Sequence, residues 1–470
     1  LNKKIKALFV LFSFLAYMPI SMLPTMALDA NTTPDLNSSI NGGYVGLNPG
    51  NGNKFDVNVE AGKGGVAQFD WNSFNVGSNI TVDWIFHNAN QTAINRVLNS
   101  GGMSQIYGKL TSSCANGSCG NERSGNVILI NPNGILFGGG SNINLNSFTA
   151  STKDINGIRN IQDIIRDGGG YLDGVLTPTV VNGNTKNYKF NGSDQLTAKY
   201  KYGNIIAYEP ASSINGFGDG VIGVIKADGA SFNTGYDKDG HPTTNAIGVN
   251  LIADKIDIKD TTIQTYVPKQ NADGTYDNNG NYKYYPGISR SSVKLITADG
   301  VNFKYDSYGD SQAVETFEKR GVDKNNHGIS IADSTIWTGT AQIKNATDAN
   351  VTIKNSKVIA NKIKDNVSGQ IAIKSLNDVI IEDSRLETLH ASIDDLENTK
   401  NLKYGDIDIE AGNNIISKNS RIATLNSRIN NIAGKTPVGN INLNAGNGVL
   451  IQVDKDSNPN VTSGRLDVAA

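Results

Sequence analysis

The chain has 470 residues, of which 38% are hydrophobic, 18% are charged and 51 are glycine. Its formal net charge at pH 7 is −2, and the sequence has no basic stripe interleaved with aromatic residues, which excludes an electrostatic basis for binding nucleic acid. A glycine-rich chain with few charges is typical of many short strands joined by polar turns. An all-β fold is therefore expected.

The N-terminus has the layout of a signal peptide. Three lysines within the first six residues precede an apolar segment, residues 7–17, and a small-residue cleavage site ends at Ala27. A membrane-spanning helix needs about 20 apolar residues, so this segment is too short to cross a bilayer. We expect cleavage after Ala27, with Ala30 as the second choice, and an exported mature chain.

A tight turn between two apolar runs is the strongest local signal in the chain. The run at residues 127–130 is followed by Asn131, Pro132, Asn133 and Gly134. Pro132 presets φ for the second position of a type I turn, Asn133 suits the third position, and Gly134 closes the turn. The chain is therefore predicted to end one strand here and to begin another.

This turn is accompanied by other motifs in a fixed order. Residues 93–97 read Ala-Ile-Asn-Arg-Val, residues 104–110 read Ser-Gln-Ile-Tyr-Gly-Lys-Leu, and residues 144–152 read Asn-Leu-Asn-Ser-Phe-Thr-Ala-Ser-Thr. From about Phe69 to Asp154 the chain resembles the N-terminal secretion domain, or haemagglutination activity domain, of two-partner-secreted exoproteins. This is the filamentous haemagglutinin family, and the likeness is greater to its high-molecular-weight-adhesin branch.

The resemblance implies a right-handed parallel β-helix with extra-helical loops or hairpins. It also implies a dedicated outer-membrane transporter, with periplasmic domains and a β-barrel, to which the domain is presented unfolded before it folds outside the cell. Seven residues of these motifs are implied to serve recognition by this partner or early folding: Asn131, Pro132, Asn133, Gly134, Asn95, Arg96 and Gln105. The two roles are compatible, and the sequence leaves both open.

The two cysteines, Cys114 and Cys119, flank a four-residue loop. In an exported chain this spacing predicts a small-loop disulfide. Free thiols and a metal site are the alternatives, but two thiols with no neighbouring histidine fall short of a four-ligand zinc shell.

The C-terminal half of the chain repeats itself. Residues 369–373, Gly-Gln-Ile-Ala-Ile, recur as Gly-Asp-Ile-Asp-Ile at residues 405–409, 36 residues later (405 − 369), and a third unit begins at Gly439, 34 residues on (439 − 405). Short Val- and Ile-rich runs between polar turns favour a β-solenoid in which each unit forms one large or two small coils. Coils of about 20–25 residues would stack into a rod of about 80–100 Å.

The predicted domain organisation has three parts: a signal peptide at residues 1–27, a secretion domain with a β-helix at residues 28–250, and a β-helix repeat region at residues 251–470. Within them, residues 173–202 and the tyrosine-rich residues 265–287 are expected to form loops or hairpins beside the coils. The final residues lie inside the repeating pattern without a polar capping unit, so the repeat region is expected to be incomplete at its C-terminus.

The sequence shows no pattern that points to catalysis, a metal or a cofactor. The four histidines are scattered without paired spacing, and no nucleophile or phosphate-loop motif is present. Asp406, Asp408 and Glu410 alternate with isoleucines, which is typical of the solvated face of a strand. We therefore expect no enzyme.

The expected function is that of a secreted or surface-exposed adhesin. Its partners would be the outer-membrane transporter and a receptor or glycan on a host or neighbouring cell. Two other functions remain alternatives: a β-helix polysaccharide lyase or hydrolase, and the front part of a contact-dependent toxin or haemolysin.

Overall fold

The structure is a computed structural model. It describes residues 28–40, 42–60, 66–87, 91–98, 102–115, 125–155, 180–181, 184–185, 188–190, 194–196, 204–209, 223–234, 248–265, 292–298, 301–305, 311–317, 328–360, 369–389, 405–425, 439–452 and 465–469. None of these residues forms an α-helix, and none lies in a helix long and apolar enough to span a membrane.

The described residues form short β-strands throughout. In chain order these are β1 Asp35–Ile40, β2 Gly42–Asn48, β3 Asn51–Val59, β4 Val66–Ser73, β5 Thr81–Phe86, β6 Thr92–Val97, β7 Ser104–Ile106, β8 Lys109–Cys114, β9 Asn126–Ile130, β10 Ile135–Phe137, β11 Asn142–Asn144, β12 Ser147–Ser151, β13 Asp154–Ile155, β14 Val180–Val181, β15 Asn184–Thr185, β16 Tyr188–Phe190, β17 Asp194–Leu196, β18 Asn204–Glu209, β19 Val224–Asp228, β20 Ser231–Asn233, β21 Gly248–Ala253, β22 Lys255–Lys259, β23 Thr262–Gln264, β24 Ser292–Thr297, β25 Val301–Tyr305, β26 Ser311–Phe317, β27 Gly328–Ala332, β28 Thr335–Thr338, β29 Thr340–Asn345, β30 Val351–Lys354, β31 Lys357–Ala360, β32 Ile371–Ser375, β33 Val379–Glu382, β34 Arg385–Leu389, β35 Ile407–Ala411, β36 Asn414–Lys418, β37 Arg421–Leu425, β38 Asn440–Ala445, β39 Gly448–Gln452 and β40 Arg465–Ala469.

Three long sheets run the length of the domain. Sheet A has the strand order β1-β4-β6-β9-β12-β21-β24-β29-β32-β35-β38-β40, sheet B the order β2-β3-β5-β8-β11-β20-β23-β28-β31-β34-β37, and sheet C the order β39-β36-β33-β30-β27-β22-β19-β10-β7. Apart from β1 and β2, neighbouring strands within them are parallel. The chain passes from sheet A to sheet C to sheet B and back to sheet A, so the predicted parallel β-helix is confirmed.

Each sequence repeat forms one coil. Ile371 in β32 pairs with Ile407 in β35, and Ile407 pairs with Ile441 in β38, so the register advances by one whole repeat per layer. Twelve strands of sheet A at about 4.8 Å spacing span only about 53 Å, shorter than the predicted rod. The prediction was wrong because coils of 34–36 residues and two insertions use more chain per layer than it assumed.

The turns between sheets C and B repeat one polar motif. Each contains a residue with φ of 46–49°, followed by a serine or threonine: Asp260-Thr261, Asp333-Ser334, Asn355-Ser356, Asp383-Ser384 and Asn419-Ser420. In one layer the Ser356 hydroxyl donates to Lys354 O (2.7 Å) and accepts from Ser334 N (3.1 Å). Aspartate and asparagine tolerate this left-handed backbone. The hydroxyls therefore form a hydrogen-bonded ladder that fixes coil register.

Within the described part of the chain, strands from two insertions leave the coils. One lies between β12 and β19, the other between β24 and β27, and their strands combine in an antiparallel sheet of order β13-β18-β25-β26. The predicted non-coil stretch at residues 173–202 contains the hairpins β14–β15 and β16–β17. Of the stretch at residues 265–287, everything beyond Thr265 lies outside the described residues.

Antiparallel strands close the N-terminal end. β1 pairs with β4 at the edge of sheet A, and β2 pairs with β3 at the edge of sheet B. Beside β3, Lys54 Nζ lies 3.1 Å from Asp56 Oδ1 and 2.8 Å from Asp83 Oδ2. The Asp56 and Asp83 side chains are only 9% and 3% exposed. Lys54 is therefore the counter-ion of two buried carboxylates.

We predict that Lys54→Met lowers the free energy of unfolding by about 2–3 kcal/mol, because the two carboxylates lose their cation. Burial alone would lower the pKa of Lys54, but hydrogen bonds and charges from Asp83 and Asp56 outweigh it and raise the pKa above 10.5. The stabilisation is thus complete below pH 10.5 and is lost as pH rises through the folded-state pKa. Urea unfolding at pH 7 measures the effect.

The matched control is Lys226→Met, which removes an exposed ion pair with Asp228. We expect this change to stay within about 0.5 kcal/mol of wild type. Equal effects of the two substitutions would contradict a special role for Lys54.

Candidate functional site

The turn after β9 has the predicted geometry. Gly134 N donates to Asn131 O (3.0 Å), as in a type I turn, and Asn133 keeps a negative φ. Asn133 N also donates to Asn131 Oδ1 (3.0 Å). Gly134 has φ of +106°, and a Cβ there would lie 2.9 Å from Val224 O. The fourth position therefore requires glycine.

Asn131 connects three successive coils. Its Nδ2 donates to Gly102 O (2.8 Å) and to Ser104 Oγ (2.9 Å) in the preceding coil, and its backbone N donates to Ser151 O (2.9 Å) in the next. The residue is completely buried, and Pro132 is buried beside it. The corner between sheets A and C is thus held by one side chain.

Asn95 lies inside the core rather than on a surface. Its Oδ1 accepts from the indole nitrogens of Trp71 and Trp84, both at 3.2 Å, and its Nδ2 donates to Ala93 O (3.3 Å) and Ile128 O (3.2 Å). Asn95 and both tryptophans are fully buried. One amide therefore satisfies two buried indoles and also bonds to β9.

Arg96 points to the opposite face of sheet A. Its Nε and Nη2 donate to Asp154 Oδ2 at 2.9 and 2.7 Å, and the two side chains are 9% and 1% exposed. Asp154 begins β13 at the base of the first insertion. The ion pair therefore fastens the insertion to the coil of β6.

Gln105 contributes through its backbone. Gln105 N donates to Asn75 Oδ1 (2.8 Å), and Gln105 O accepts from Val76 N (2.8 Å). In sheet C it is paired in register with Leu136, two residues after the turn. The side chain of Gln105 is half-buried.

The seven predicted residues therefore share two stacked coils but no common surface. Asn95 faces the core, and Arg96 faces the outside of sheet A. Residues 131–134 form a corner in which Asn133 is half-buried and the other three are buried. Asn95 and Asn131 are 0% exposed and Arg96 is 8% exposed. In the folded domain these three side chains offer almost no surface for a partner to contact.

Sequence reasoning missed the residues that bind these motifs. Trp71, Trp84, Ser104 and Asp154 carry the hydrogen bonds described above, and the pattern of apolar residues gives no sign of such pairings. The one available signal was the position of Asn95 at an inward-facing place in β6, which requires buried partners.

The predicted disulfide stays a prediction. Cys114 ends β8, while Cys119 lies outside the described residues. Within the part of the chain that the structure describes, no group of three or more His, Cys, Asp or Glu side chains is placed to hold a metal ion.

The stacked coils, the antiparallel N-terminal cap and the extra-helical sheet define a capped parallel β-helix. The chain belongs to the TPS secretion domain family, which it matches over residues 30–325. This match includes the turn at residues 131–134 and both insertions. The predicted boundary at residue 250 falls inside β21, and the sheets continue through it.

Curated relatives match a shorter part of the chain. A heme/hemopexin-binding protein of Haemophilus influenzae strain Rd is 38% identical over 104 residues, which is 22% of this chain and 10% of that protein. A second heme/hemopexin-binding protein of Haemophilus influenzae is 39% identical over 89 residues, 19% of this chain and 8% of that protein. The aligned part is thus about a tenth of the relatives' length.

Two solved structures are similar to this chain. The HMW1 secretion domain from Haemophilus influenzae has 16% identity and a TM-score of 0.40, with 92% of this chain and 100% of that chain covered. The filamentous hemagglutinin secretion domain has 12% identity and a TM-score of 0.42, with 90% and 100% covered.

The family defines what kind of protein this is. It is an exoprotein with an N-terminal TPS domain, exported to the cell surface or the extracellular space. Such a domain implies an outer-membrane transporter as partner. The family is one of secretion and adhesin domains and not of enzymes, so the polysaccharide-enzyme alternative is not favoured.

Proposed function

We propose that the chain crosses the periplasm unfolded, is recognised there by the periplasmic domains of its transporter, and folds outside the cell into an adhesin. Its coils present loops to a receptor or glycan on a host or neighbouring cell, and the chain catalyses no reaction. The observation that carries the proposal is the family match over residues 30–325, which includes the turn at residues 131–134 with its buried Asn131.

The burial of the motifs supports a specific division of their roles. Asn131 and Asn95 are fully buried once the coils have stacked, so a partner can contact their side chains only while the chain is unfolded. In the folded state their hydrogen bonds hold the coils of β6, β9 and β12 together. We propose that the transporter recognises these motifs before the chain folds, and that the same motifs stabilise the first coils afterwards.

Export with and without the candidate transporter tests this proposal. We expect transporter-dependent export of the wild-type chain and at least a tenfold loss for the double variant Asn131→Ala, Asn133→Ala, scored as protein outside the cell against protein in the periplasm. Export that persists without any outer-membrane transporter would contradict the proposal.

Ser104→Ala separates the two roles of the turn. This variant removes a hydrogen-bond partner of Asn131 but leaves residues 131–134 unchanged. If the unfolded motif is recognised, Ser104→Ala is exported almost normally although the folded chain is less stable by about 1 kcal/mol. If export depends only on the stability of the folded coils, Ser104→Ala loses export in proportion to that stability.

A further inference from the structure

The first insertion leaves and rejoins the coils at one place. Its start follows β12 at Thr152 and Lys153, and its end is Gly223, immediately before β19. A Cβ on Gly223 would lie 2.3 Å from Thr152 Cβ, so the two ends of the insertion are in direct contact and glycine is required.

A single residue of the next coil binds both ends. Asp254 directly follows β21, which lies on β12 in sheet A. Its Oδ1 accepts from Lys153 Nζ (2.5 Å) and its Oδ2 accepts from Gly223 N (2.8 Å), while Asp254 N donates to Gly223 O (3.0 Å). The Lys153 and Asp254 side chains are each 3% exposed.

We propose that Asp254 is a latch that closes the base of the insertion at residues 153–223 and thereby positions the extra-helical sheet. The carboxylate has two oxygens and uses one for each end of the insertion, so neither end leaves without breaking a buried hydrogen bond. This role goes beyond the proposed export function and does not depend on it.

The position of Asp254 in the chain determines when the latch can form during folding. The other buried pair at this base, Arg96 with Asp154, uses residues that precede the end of the insertion. Asp254 comes later, in the coil of β21. In a chain that emerges from its N-terminus, the latch therefore closes only after that coil has stacked.

The same position sets a minimum length for a stable domain. Without Asp254 the ammonium of Lys153 is buried with no carboxylate on the other side, and an unpaired buried charge is strongly destabilising. The predicted domain end at residue 250 excludes Asp254. The coil formed by β21, β22 and β23 is therefore part of the folding unit.

Limited proteolysis of the purified mature chain tests the latch. We compare wild type with Asp254→Asn, which removes the charge, and with Asp257→Asn as the matched control, since Asp257 lies in the same coil in a partly exposed ion pair with Lys255. Cleavage sites are identified by mass spectrometry. We expect cleavage between residues 156 and 222 to be at least tenfold faster in Asp254→Asn and unchanged in Asp257→Asn.

A double variant guards against simple misfolding. Lys153→Met, Asp254→Asn removes both charges of this pair, and the asparagine carbonyl still accepts from Gly223 N. We expect this double variant to fold, because the stranded charge is gone. Cleavage between residues 156 and 222 should still be at least threefold faster than in wild type, because the bond to the Lys153 end is lost.

Two results would overturn the latch. One is a cleavage rate in Asp254→Asn that equals the wild-type rate between residues 156 and 222. The other is a rise in cleavage among the coils of residues 328–452 as large as the rise within the insertion. If Asp254→Asn fails to fold, the double variant decides: faster cleavage confined to residues 156–222 supports the latch, and a cleavage rate equal to that of wild type overturns it. None of these results depends on export, so they leave the proposed function to its own test.

Discussion

Asn95→Leu is expected to lower the free energy of unfolding of the N-terminal coils by about 3–5 kcal/mol. The leucine removes the acceptor of two indole N–H groups, those of Trp71 and Trp84, and the donor to Ile128 O. Each buried polar group left without a partner costs about 1–3 kcal/mol. Unfolding in urea, followed by tryptophan emission, measures the change.

The large effect follows from the place of Asn95 in the core. Phe74 lies between the two indoles, with ring centroids 5.2 Å from Trp71 and 6.0 Å from Trp84. Because all these side chains are fully buried, water cannot replace the lost acceptor. The hydrophobic contacts remain after the substitution, but the indole N–H groups of Trp71 and Trp84 lose their acceptor.

The matched control is Asn72→Leu. Asn72 donates to Asp35 in a solvent-exposed hydrogen bond of 3.2 Å, so the same substitution there is expected to stay within about 0.5 kcal/mol of wild type. If both variants unfold at the same urea concentration, the two indoles do not depend on Asn95.

The repeating part of the fold is the part that sequence reasoning predicts well. Isoleucines that alternate with polar residues around Ile371 and Ile407 indicate strands with one buried face, and the 36-residue offset gives the coil register directly. The turn at residues 131–134 is predicted for the same reason, since proline and glycine act locally on the backbone.

The polar contacts of the candidate site were beyond such reasoning. Asn95 and Asn131 look like surface residues because asparagine is usually exposed, and their burial depends on partners 11 to 33 positions away in the chain. The insertion that contains β25 and β26 was missed as well, because its strands have the same composition as the coils. Composition does not say which sheet a strand joins.

Arg96→Met is expected to destabilise the chain by about 3–5 kcal/mol. It leaves the carboxylate of Asp154, which is 1% exposed, without the guanidinium that donates to it at 2.7 and 2.9 Å. Removing one member of a buried ion pair strands the other charge in a poorly solvated place. Asp154→Leu should cost a similar amount for the converse reason.

The double variant Arg96→Met, Asp154→Leu distinguishes a stranded charge from lost packing. With both charges gone, the cost is expected to fall well below that of either single variant, because the desolvation penalty disappears with the charges. An additive double-mutant cycle would contradict this and would assign the effect to packing. If the double variant regains most of the lost free energy of unfolding, the pair adds little net stability. Its role is then to fix where the insertion docks on the coil of β6. Buried ion pairs act in this way when they specify one arrangement over others.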